Sequence, residues 1–292
     1  MRIILLGSNG QLGTDIRSAN ESLDQPHRLV ALTRADFDVT DRTKLQSELL
    51  SQQFDVLINC TGYHRTDEAE GNAQLAFDVN AHAVEAMAEL CAQSNARFFH
   101  VSTDFVFDGS GRETPYREED ATSPINVYGA SKAKGERLAL GAHDLTNVLR
   151  VASLFGIAGA SAKAHGNFVD MMIAKARRGE TLEVVSDHRM SPTATAEVAR
   201  MVFELIDSSA EPGIYHAVNS SSASWYELAK EVVARAGIDA IVKPIKSSEF
   251  KTRTRRPAYS VLDNTKIAAI AGPIPDWSDS LDAYLRAKQY ID

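Results

Sequence analysis

The first thirteen residues place the tightest constraint on what this chain can fold into. A short apolar run from Arg2 to Leu6 leads directly into the turn GSNGQLG. The run predicts a buried parallel strand, and the turn predicts an immediate change to a helix. Gly7 would allow the tight turn, Gly10 the close approach of backbone to a pyrophosphate, and Gly13 close packing of the helix on the strand. The stretch therefore predicts a dinucleotide site.

The alternation of strand and helix continues to residue 150. Strands are predicted at 28–34, 54–63, 98–104 and 147–156, with one long helix over 67–93. This order predicts an α/β fold, a Rossmann-type doubly wound parallel sheet. We expect an NAD(P)-binding domain at 1–150. We expect 151–292 to form mainly a smaller α/β substrate-binding domain, with a segment near 190–220 returning to the first domain.

Composition excludes several classes of protein. The 292 residues carry 31 basic and 39 acidic side chains, a net charge of −8, so a nucleic-acid-binding surface is not expected. Cys60 and Cys91 lack the spacing of metal ligands or of a disulfide framework, and no metal is expected. A strand that begins at Arg2 leaves no room for a signal peptide, and no apolar run is long enough to span a bilayer. The expected location is cytoplasmic.

One of three Tyr-x-x-x-Lys pairs has the context of a catalytic site. The pairs are Tyr128/Lys132, Tyr226/Lys230 and Tyr284/Lys288. The second and third lie in amphipathic helices where Tyr extends an apolar stripe, whereas the first follows a strand that ends in hydroxyl residues, FFHVSTD. On a helix, residues four apart share a face, so the Lys132 ammonium would lie beside the Tyr128 phenol and lower its pKa. Such a pair suits proton transfer to a carbonyl oxygen while a hydride reaches its carbon.

The end of the second predicted strand bears on the choice of cofactor. NAD-binding chains usually place an acidic residue there, whereas Thr33 and Arg34 offer a hydroxyl and a guanidinium to a 2′-phosphate. Asp38 follows four residues later and could instead meet the ribose. We therefore expect NADP(H), with NAD(H) as the alternative.

Taken together, the motifs resemble those of the extended short-chain dehydrogenase/reductases, and within them the dTDP-4-dehydrorhamnose reductase family. The resemblance covers nearly the whole chain and is carried by GSNGQLG, STDFVFDG, VYGASKAKGE, SPTATAEVA and RRPAYSVLDNTK. It implies that Thr103 bonds the substrate carbonyl, that Tyr128 delivers the proton, and that Lys132 holds the nicotinamide ribose.

The resemblance also implies the residues of the binding sites. The cofactor site would comprise Gly7, Asn9, Gly10, Gln11, Leu12, Arg34, Asp38, Val39, Cys60, Thr61, Gly62, Tyr63, Ser102, Tyr128 and Lys132. The substrate, a nucleotide sugar, would meet Thr66, Thr103, Asp104, Phe105, Ser153, Asn167 and Arg256, with Arg253 and Arg255 as further candidates for its diphosphate.

The chain departs from the family pattern at the substrate pocket. The family usually reads Arg-Thr-Ser-Trp where this chain has Arg-Val-Ala-Ser, ending at Ser153, so the aromatic wall of the sugar pocket is missing there. Either a bulkier substrate fills the space, or Phe105 or Phe155 takes over. His64 and Arg65 replace smaller residues and would make the entrance more cationic. These departures predict that dTDP-4-dehydrorhamnose is a poor substrate or not the natural one.

Three functions stay open at this stage. The first is an NADPH-dependent ketoreductase acting on a nucleotide-activated 6-deoxy sugar or a related carbonyl compound. The second is a nucleotide-sugar epimerase or dehydratase that retains its NAD(P). The third is a non-catalytic subunit similar to the methionine adenosyltransferase β subunit. A homodimer is the candidate assembly, and the Gly/Ala/Ser-rich segment 156–167 is expected to be a loop near the active site.

Overall fold

The computed structural model describes residues 1–158 and 166–292. Part of the predicted loop, 159–165, lies outside the described residues. The described strands are β1 (Arg2–Leu6), β2 (Arg28–Leu32), β3 (Val56–Asn59), β4 (Arg97–Thr103), β5 (Thr146–Val151), β6 (Leu154–Phe155), β7 (Leu182–Val185), β8 (Arg189–Met190), β9 (Thr193–Ala194), β10 (Gly213–His216), β11 (Ala223–Ser224) and β12 (Val242–Ile245).

Eleven α-helices alternate with these strands in the described ranges. They are α1 (Gln11–Glu21), α2 (Arg42–Leu50), α3 (Thr66–Ala69), α4 (Ala73–Phe77), α5 (Ala83–Ser94), α6 (Val127–Ala142), α7 (Phe168–Arg177), α8 (Thr195–Asp207), α9 (Trp225–Arg235), α10 (Thr265–Ala271) and α11 (Trp277–Ala287). No helix in the described ranges is long and apolar enough to cross a membrane.

Six parallel strands form the main sheet, in the order β10-β5-β4-β3-β1-β2. Helices α1, α8 and α10 contribute to the apolar core on one face, and α2, α5 and α6 to the core on the other. Because both faces are covered, the central strands read as continuous apolar runs. The predicted Rossmann-type α/β fold is confirmed, and β10 joins its edge from far along the chain.

The single helix predicted over 67–93 is wrong. The segment contains α3, α4, a π-helical turn (Asp78–His82) and α5. Gly71 separates α3 from α4, consistent with the low helix propensity of glycine. The π-helical turn lies where α6 comes closest, because a Cβ added to Gly135 would be 2.0 Å from the Asn80 carbonyl oxygen. Helix-period spacing alone does not reveal such a contact.

The chain beyond the main sheet forms a second apolar core. Helices α7, α9 and α11 contribute most of its buried side chains, including Ile173, Val232 and Leu281. Three two-stranded sheets, β6-β9, β7-β12 and β8-β11, lie in this half of the chain. The segment carrying β8 and β9 connects this core to α8, which packs on the main sheet.

Candidate active site

The start of α6 is fixed against the loop that follows β4. The Asn126 side chain accepts a hydrogen bond from the Gly129 backbone at 2.7 Å and donates one to the Arg255 carbonyl at 2.9 Å. A Cβ at Gly129 would be 2.1 Å from the Phe105 carbonyl oxygen, so only glycine permits this approach. The contact places Tyr128 beside the end of β4.

Tyr128 and Thr103 meet at this point. The Thr103 hydroxyl lies close enough to the phenol to lower its pKa. Thr103 in turn donates to Asp104 at 3.0 Å, and the Phe105 ring stands edge-on to the Tyr128 ring with centroids 5.8 Å apart. The structure therefore brings together an acid and a hydroxyl that could meet one carbonyl oxygen.

The predicted lowering of the Tyr128 pKa by Lys132 is wrong for this structure. Burial raises the pKa of Tyr128 to about 12; the contact with Thr103 opposes this rise and the charge of Asp104 adds to it. Lys132 instead directs its amine at β4, where Nζ donates to the Val101 carbonyl at 2.5 Å. The phenol consequently stays in its acid form at neutral pH.

The surroundings of Lys132 include residues that the sequence did not single out for this site. The side chain is 3% exposed, and its Nζ lies 3.1 Å from His100 Nε2. Burial lowers the pKa of Lys132 from 10.5 to about 8, and the charge of Glu136 opposes the change. His100 interrupts the apolar run of β4, and that interruption was the available signal.

The tyrosines of the other two Tyr-x-x-x-Lys pairs pack in the second core, Tyr284 buried and Tyr226 partly buried, as predicted from their apolar stripes. The Tyr284 hydroxyl donates to Asp170 at 2.6 Å and accepts from Asn167 at 3.0 Å. Asn167 also caps α7, accepting a hydrogen bond from the Asp170 backbone at 3.0 Å. Its predicted contact with substrate stays a prediction.

The glycine-rich turn has the shape that a dinucleotide requires. Gly7 has φ +75, and its added Cβ would lie 3.0 Å from the Cys60 carbonyl carbon. A Cβ at Gly13 would lie 2.3 Å from the Gly7 carbonyl oxygen. Helix α1 has no side-chain cap at Gly10, and Gln11 Oε1 is buried without a hydrogen-bond partner among the described residues. An uncapped helix N-terminus attracts phosphate, so these residues fit a bound pyrophosphate.

At the end of β2, the two candidate ribose contacts are paired with each other. Arg34 Nη2 lies 3.1 Å from Asp38 Oδ2, and the Arg34 side chain is 86% exposed. An exposed pair of this kind contributes little stability, so Arg34 can turn to a ligand phosphate at small cost. The neighbouring Val39 packs against the core beneath the sheet.

The segment from Cys60 to Tyr63 is held by two buried asparagines. Asn59 accepts hydrogen bonds from the Thr61 backbone at 2.9 Å and the Thr61 hydroxyl at 2.6 Å. Asn80 exchanges hydrogen bonds with the Tyr63 backbone at 2.8 and 3.0 Å and donates to Ser131 at 2.9 Å. The segment that would lie along a cofactor, including Gly62, is thereby tied to α6.

A pocket beside Asp104 and Phe105 has an aromatic side chain from the helix of the Tyr226/Lys230 pair, at a position that was not predicted to line the site. Trp225, the first residue of α9, lines it together with Ser153. Phe105 also lines the pocket, whereas Phe155 is 2% exposed and packs edge-on against Tyr284. Of the two expected replacements for the missing Trp, only Phe105 is therefore at the pocket.

The pocket wall carries positive charge. Its charge comes from Arg189 and Arg256; His188 also lines the pocket, but burial lowers the pKa of its ring and favours the neutral form. Arg256 pairs with Asp67 at 3.2 Å, and its Nε is buried without a hydrogen-bond partner among the described residues. Thr66 is tied to the same region by a hydrogen bond from Thr254 to its carbonyl at 3.2 Å. The predicted cationic residue at the entrance, Arg65, is paired with Glu68 at 3.2 Å. Arg253 and Arg255 are exposed.

Comparisons with known proteins match this chain along its length. Residues 1–290 match the family described as RmlD substrate binding domain. The dTDP-4-dehydrorhamnose reductase of Mycobacterium tuberculosis is 35% identical over 294 residues, covering 98% of this chain and 93% of that protein. The Clostridium acetobutylicum dTDP-4-dehydrorhamnose reductase structure has a TM-score of 0.91 at 30% identity, covering 99% and 100% of the two chains. The Bacillus anthracis dTDP-4-dehydrorhamnose reductase, solved with NADP, has a TM-score of 0.90 at 31% identity and 98% and 99% coverage.

The parallel sheet, the glycine turn and the Tyr128–Lys132 helix beside Thr103 define an extended short-chain dehydrogenase/reductase, a class of NAD(P)-dependent oxidoreductases. The family match extends over almost the whole chain. The chain belongs to the RmlD family, that of the dTDP-4-dehydrorhamnose reductases.

Proposed function

We propose that this protein is an NADPH-dependent ketoreductase that reduces the keto group of a nucleotide-activated 6-deoxy sugar. The observation that carries the proposal is the contact between Tyr128 and Thr103 beside the pocket that Trp225 and Arg256 line. Family membership and the NADP complex of the Bacillus anthracis relative support the class of reaction and the cofactor.

In the proposed reaction the chain supplies a proton and holds the reacting groups in place. Bound NADPH supplies the hydride that reaches the carbonyl carbon. Tyr128 transfers its phenolic proton to the carbonyl oxygen, and Thr103 donates a hydrogen bond to the same oxygen. The C=O group becomes CH–OH, and the phenolate left on Tyr128 regains a proton from solvent. Lys132 holds the nicotinamide ribose, and the α1 N-terminus binds the pyrophosphate.

The two halves of the chain divide the remaining work. We assign cofactor binding to residues 1–150 and substrate binding mainly to 151–292. Arg256, with a buried and unpartnered Nε, is placed to bind the substrate diphosphate, and Trp225 offers an apolar face to a sugar or base ring. The Asp67–Arg256 pair orients the guanidinium in advance.

The test is to incubate the purified protein with NADPH and a panel of 4-keto-6-deoxy nucleotide sugars, beginning with dTDP-4-dehydrorhamnose. The expected result is one NADPH oxidised per hydroxyl formed, read by absorbance and product analysis. An epimerase or dehydratase would change the sugar without net oxidation of NADPH, and a non-catalytic subunit would bind NADPH without turnover. Either result would overturn the proposal.

A further inference from the structure

Three side chains form a buried chain of contacts that runs from β3 through β4 to α6. Asn59 and His100 are register partners on the adjacent strands β3 and β4, and Lys132 reaches them from α6. Asn59 and His100 are 0% exposed. Asn59 Nδ2 lies 3.2 Å from His100 Nδ1, and His100 Nε2 lies 3.1 Å from Lys132 Nζ.

The orientation of the Asn59 amide is determined by Thr61. The Thr61 backbone N–H and hydroxyl both donate to Asn59 Oδ1, at 2.9 and 2.6 Å. The amide nitrogen therefore faces His100, and it can only donate. His100 Nδ1 must consequently accept, which means that it carries no proton. Rotating the amide by 180° would satisfy His100 in another tautomer but would set the Thr61 N–H against an NH₂ group.

The remaining question is which ring nitrogen of His100 carries its proton, and the contacts allow one answer. Burial holds the pKa of His100 well below 6.5, so the ring is neutral and carries one proton. With Nδ1 unprotonated, that proton is on Nε2 and points at Lys132 Nζ. An ammonium has three donors and no lone pair, whereas a neutral amine can accept this proton and still donate to the Val101 carbonyl. The buried contacts are all satisfied only when Lys132 is neutral.

We propose that Asn59 and His100 are positioning residues that hold Lys132 as a neutral amine in the cofactor-free enzyme at alkaline pH, so that cofactor binding there draws one proton onto Lys132 Nζ. The proton comes from buffer and forms the third N–H bond of the ammonium. The hydroxyls and negative charge of the bound dinucleotide favour the charged form. The location of the bound cofactor in this proposal rests on the proposed function.

The other titratable groups around Lys132 do not supply the same effect. Glu136 lies on the same helix, but its carboxylate is held by Arg150 at 2.8 Å and by Ser102 at 2.5 Å. Cys60 follows β3, and burial raises the pKa of its thiol to about 12, so it is neutral at working pH. Tyr128, one turn before Lys132, is likewise in its acid form. Among these described neighbours, His100 is therefore the one whose contact favours the neutral amine of Lys132 over the ammonium.

The first experiment reads the His100 tautomer in the free protein. Nitrogen-15 NMR of imidazole-labelled protein distinguishes protonated from unprotonated ring nitrogens, and loss of a signal in His100→Gln assigns His100 among the eight histidines. We expect the Nε2–H tautomer in the unmodified protein. In Asn59→Asp the new carboxylate accepts from Nδ1, so the tautomer should reverse. An Nδ1–H tautomer in the unmodified protein would overturn the proposal whether or not any cofactor binds.

The second experiment measures proton uptake on binding NADPH, by calorimetry in two buffers of different ionisation enthalpy. Near pH 9, between the Lys132 pKa of about 8 and the ordinary 10.5, we expect uptake of about one proton per site, falling close to zero near pH 7. The 2′-phosphate is fully ionised near pH 9, since its second pKa is about 6. His100→Gln offers a carbonyl that accepts from an ammonium, so its uptake should be near zero, and unchanged uptake would contradict the proposal.

His143→Gln is the matched control. His143 follows the last residue of the helix that carries Lys132 and contacts the Ala96 carbonyl at 2.8 Å, away from the site. Its proton uptake should equal that of the unmodified protein. Absence of any NADPH binding would instead refute the proposed function, and the NMR result would still decide whether the Asn59–His100 pair imposes its tautomer.

Discussion

Glu136 and Arg150 form a buried bidentate ion pair directly beneath the end of β4. Arg150 Nε lies 3.0 Å from Glu136 Oε1, and Arg150 Nη2 lies 2.8 Å from Oε2, with both side chains 2–3% exposed. Ser102 donates to the same carboxylate at 2.5 Å. The pair links α6 to β5 and holds β4 at the residue before Thr103, so it sets the position of both partners of the Tyr128–Thr103 contact.

Removing the charge of Glu136 should destabilise the protein strongly. Glu136→Gln leaves the Arg150 guanidinium buried without its counter-charge, and we expect a loss of about 3–5 kcal/mol in the free energy of unfolding, measured by urea titration. Glu183→Gln, which breaks an exposed pair with Lys243, is the control and should leave the unfolding midpoint nearly unchanged. A loss for Glu136→Gln no larger than in the control would contradict this account.

Tyr128→Phe should remove the acid and spare the fold. We expect turnover to fall about a hundredfold or more, with NADPH affinity and the unfolding midpoint nearly unchanged, because a single hydroxyl is lost. Tyr226→Phe removes a hydroxyl from a Tyr-x-x-x-Lys pair in the second core and should keep full activity. Full activity in Tyr128→Phe would show that the wrong helix has been chosen.

Arg34 should set the preference for NADPH over NADH. Arg34→Ala removes a charge-assisted contact with the 2′-phosphate and should weaken NADPH binding about tenfold to a hundredfold while leaving NADH binding nearly unchanged. Asp38→Asn frees Arg34 from its pair and should retain the preference. Equal dissociation constants for the two cofactors in the unmodified protein would exclude this role for Arg34.

Trp225 should report substrate binding through its own fluorescence. The chain has two tryptophans, and Trp277 is 7% exposed in the second core, whereas Trp225 lines the pocket beside Phe105. Titration with a nucleotide sugar should change the emission of the unmodified protein, and Trp225→Phe should abolish that change. An identical change in Trp225→Phe would place the substrate elsewhere.

The stability of the protein should depend on Asp104 at mildly acidic pH. Burial raises the pKa of Asp104 from 3.8 to about 6, against the hydrogen bonds from Ser260 and Thr103. The folded state then binds the proton more tightly than the unfolded state. The contribution is full below pH 3.8 and is lost as pH rises through about 6. Relative to Asp104→Asn, the unmodified protein should lose on the order of 3 kcal/mol across this range, measured by urea unfolding at each pH. Parallel pH profiles of the two proteins would contradict the raised pKa.

Sequence patterns predicted the parts of the fold that are determined by residues close together in the chain. The strand from Arg2 to Leu6 and its glycine turn are encoded within thirteen residues, because burial and backbone freedom at Gly7 are properties of that stretch alone. The role of Thr103 as the partner of the substrate carbonyl came from resemblance to a family, and it stays a prediction. The choice of Thr103 did not come from spacing.

Contacts between distant segments could not be predicted from spacing. Lys132 was expected beside Tyr128, because residues four apart share a helix face, yet its amine turns to the Val101 carbonyl on β4. The pairing of Asn59 with His100 depends on the register of β3 against β4, which is established only when the strands pair. Trp225 reaches the pocket from α9 in the same way. Asn59, His100 and Asn80 did leave one signal, since each is a polar residue at a position whose apolar neighbours predict burial.

The late position of α8 and β10 has a consequence for synthesis of the protein. A ribosome that has made 150 residues has already made Thr103, Tyr128 and Lys132. One face of the main sheet still lacks α8, whose buried residues include Val202 and Leu205, and its edge lacks β10. Until residue 216 emerges, the nascent chain exposes the apolar surface that these elements will cover. Folding of the first 150 residues, which carry Thr103, Tyr128 and Lys132, must therefore wait for a later segment that contributes none of the three. Chaperone contacts during translation should concentrate in the interval before that segment emerges.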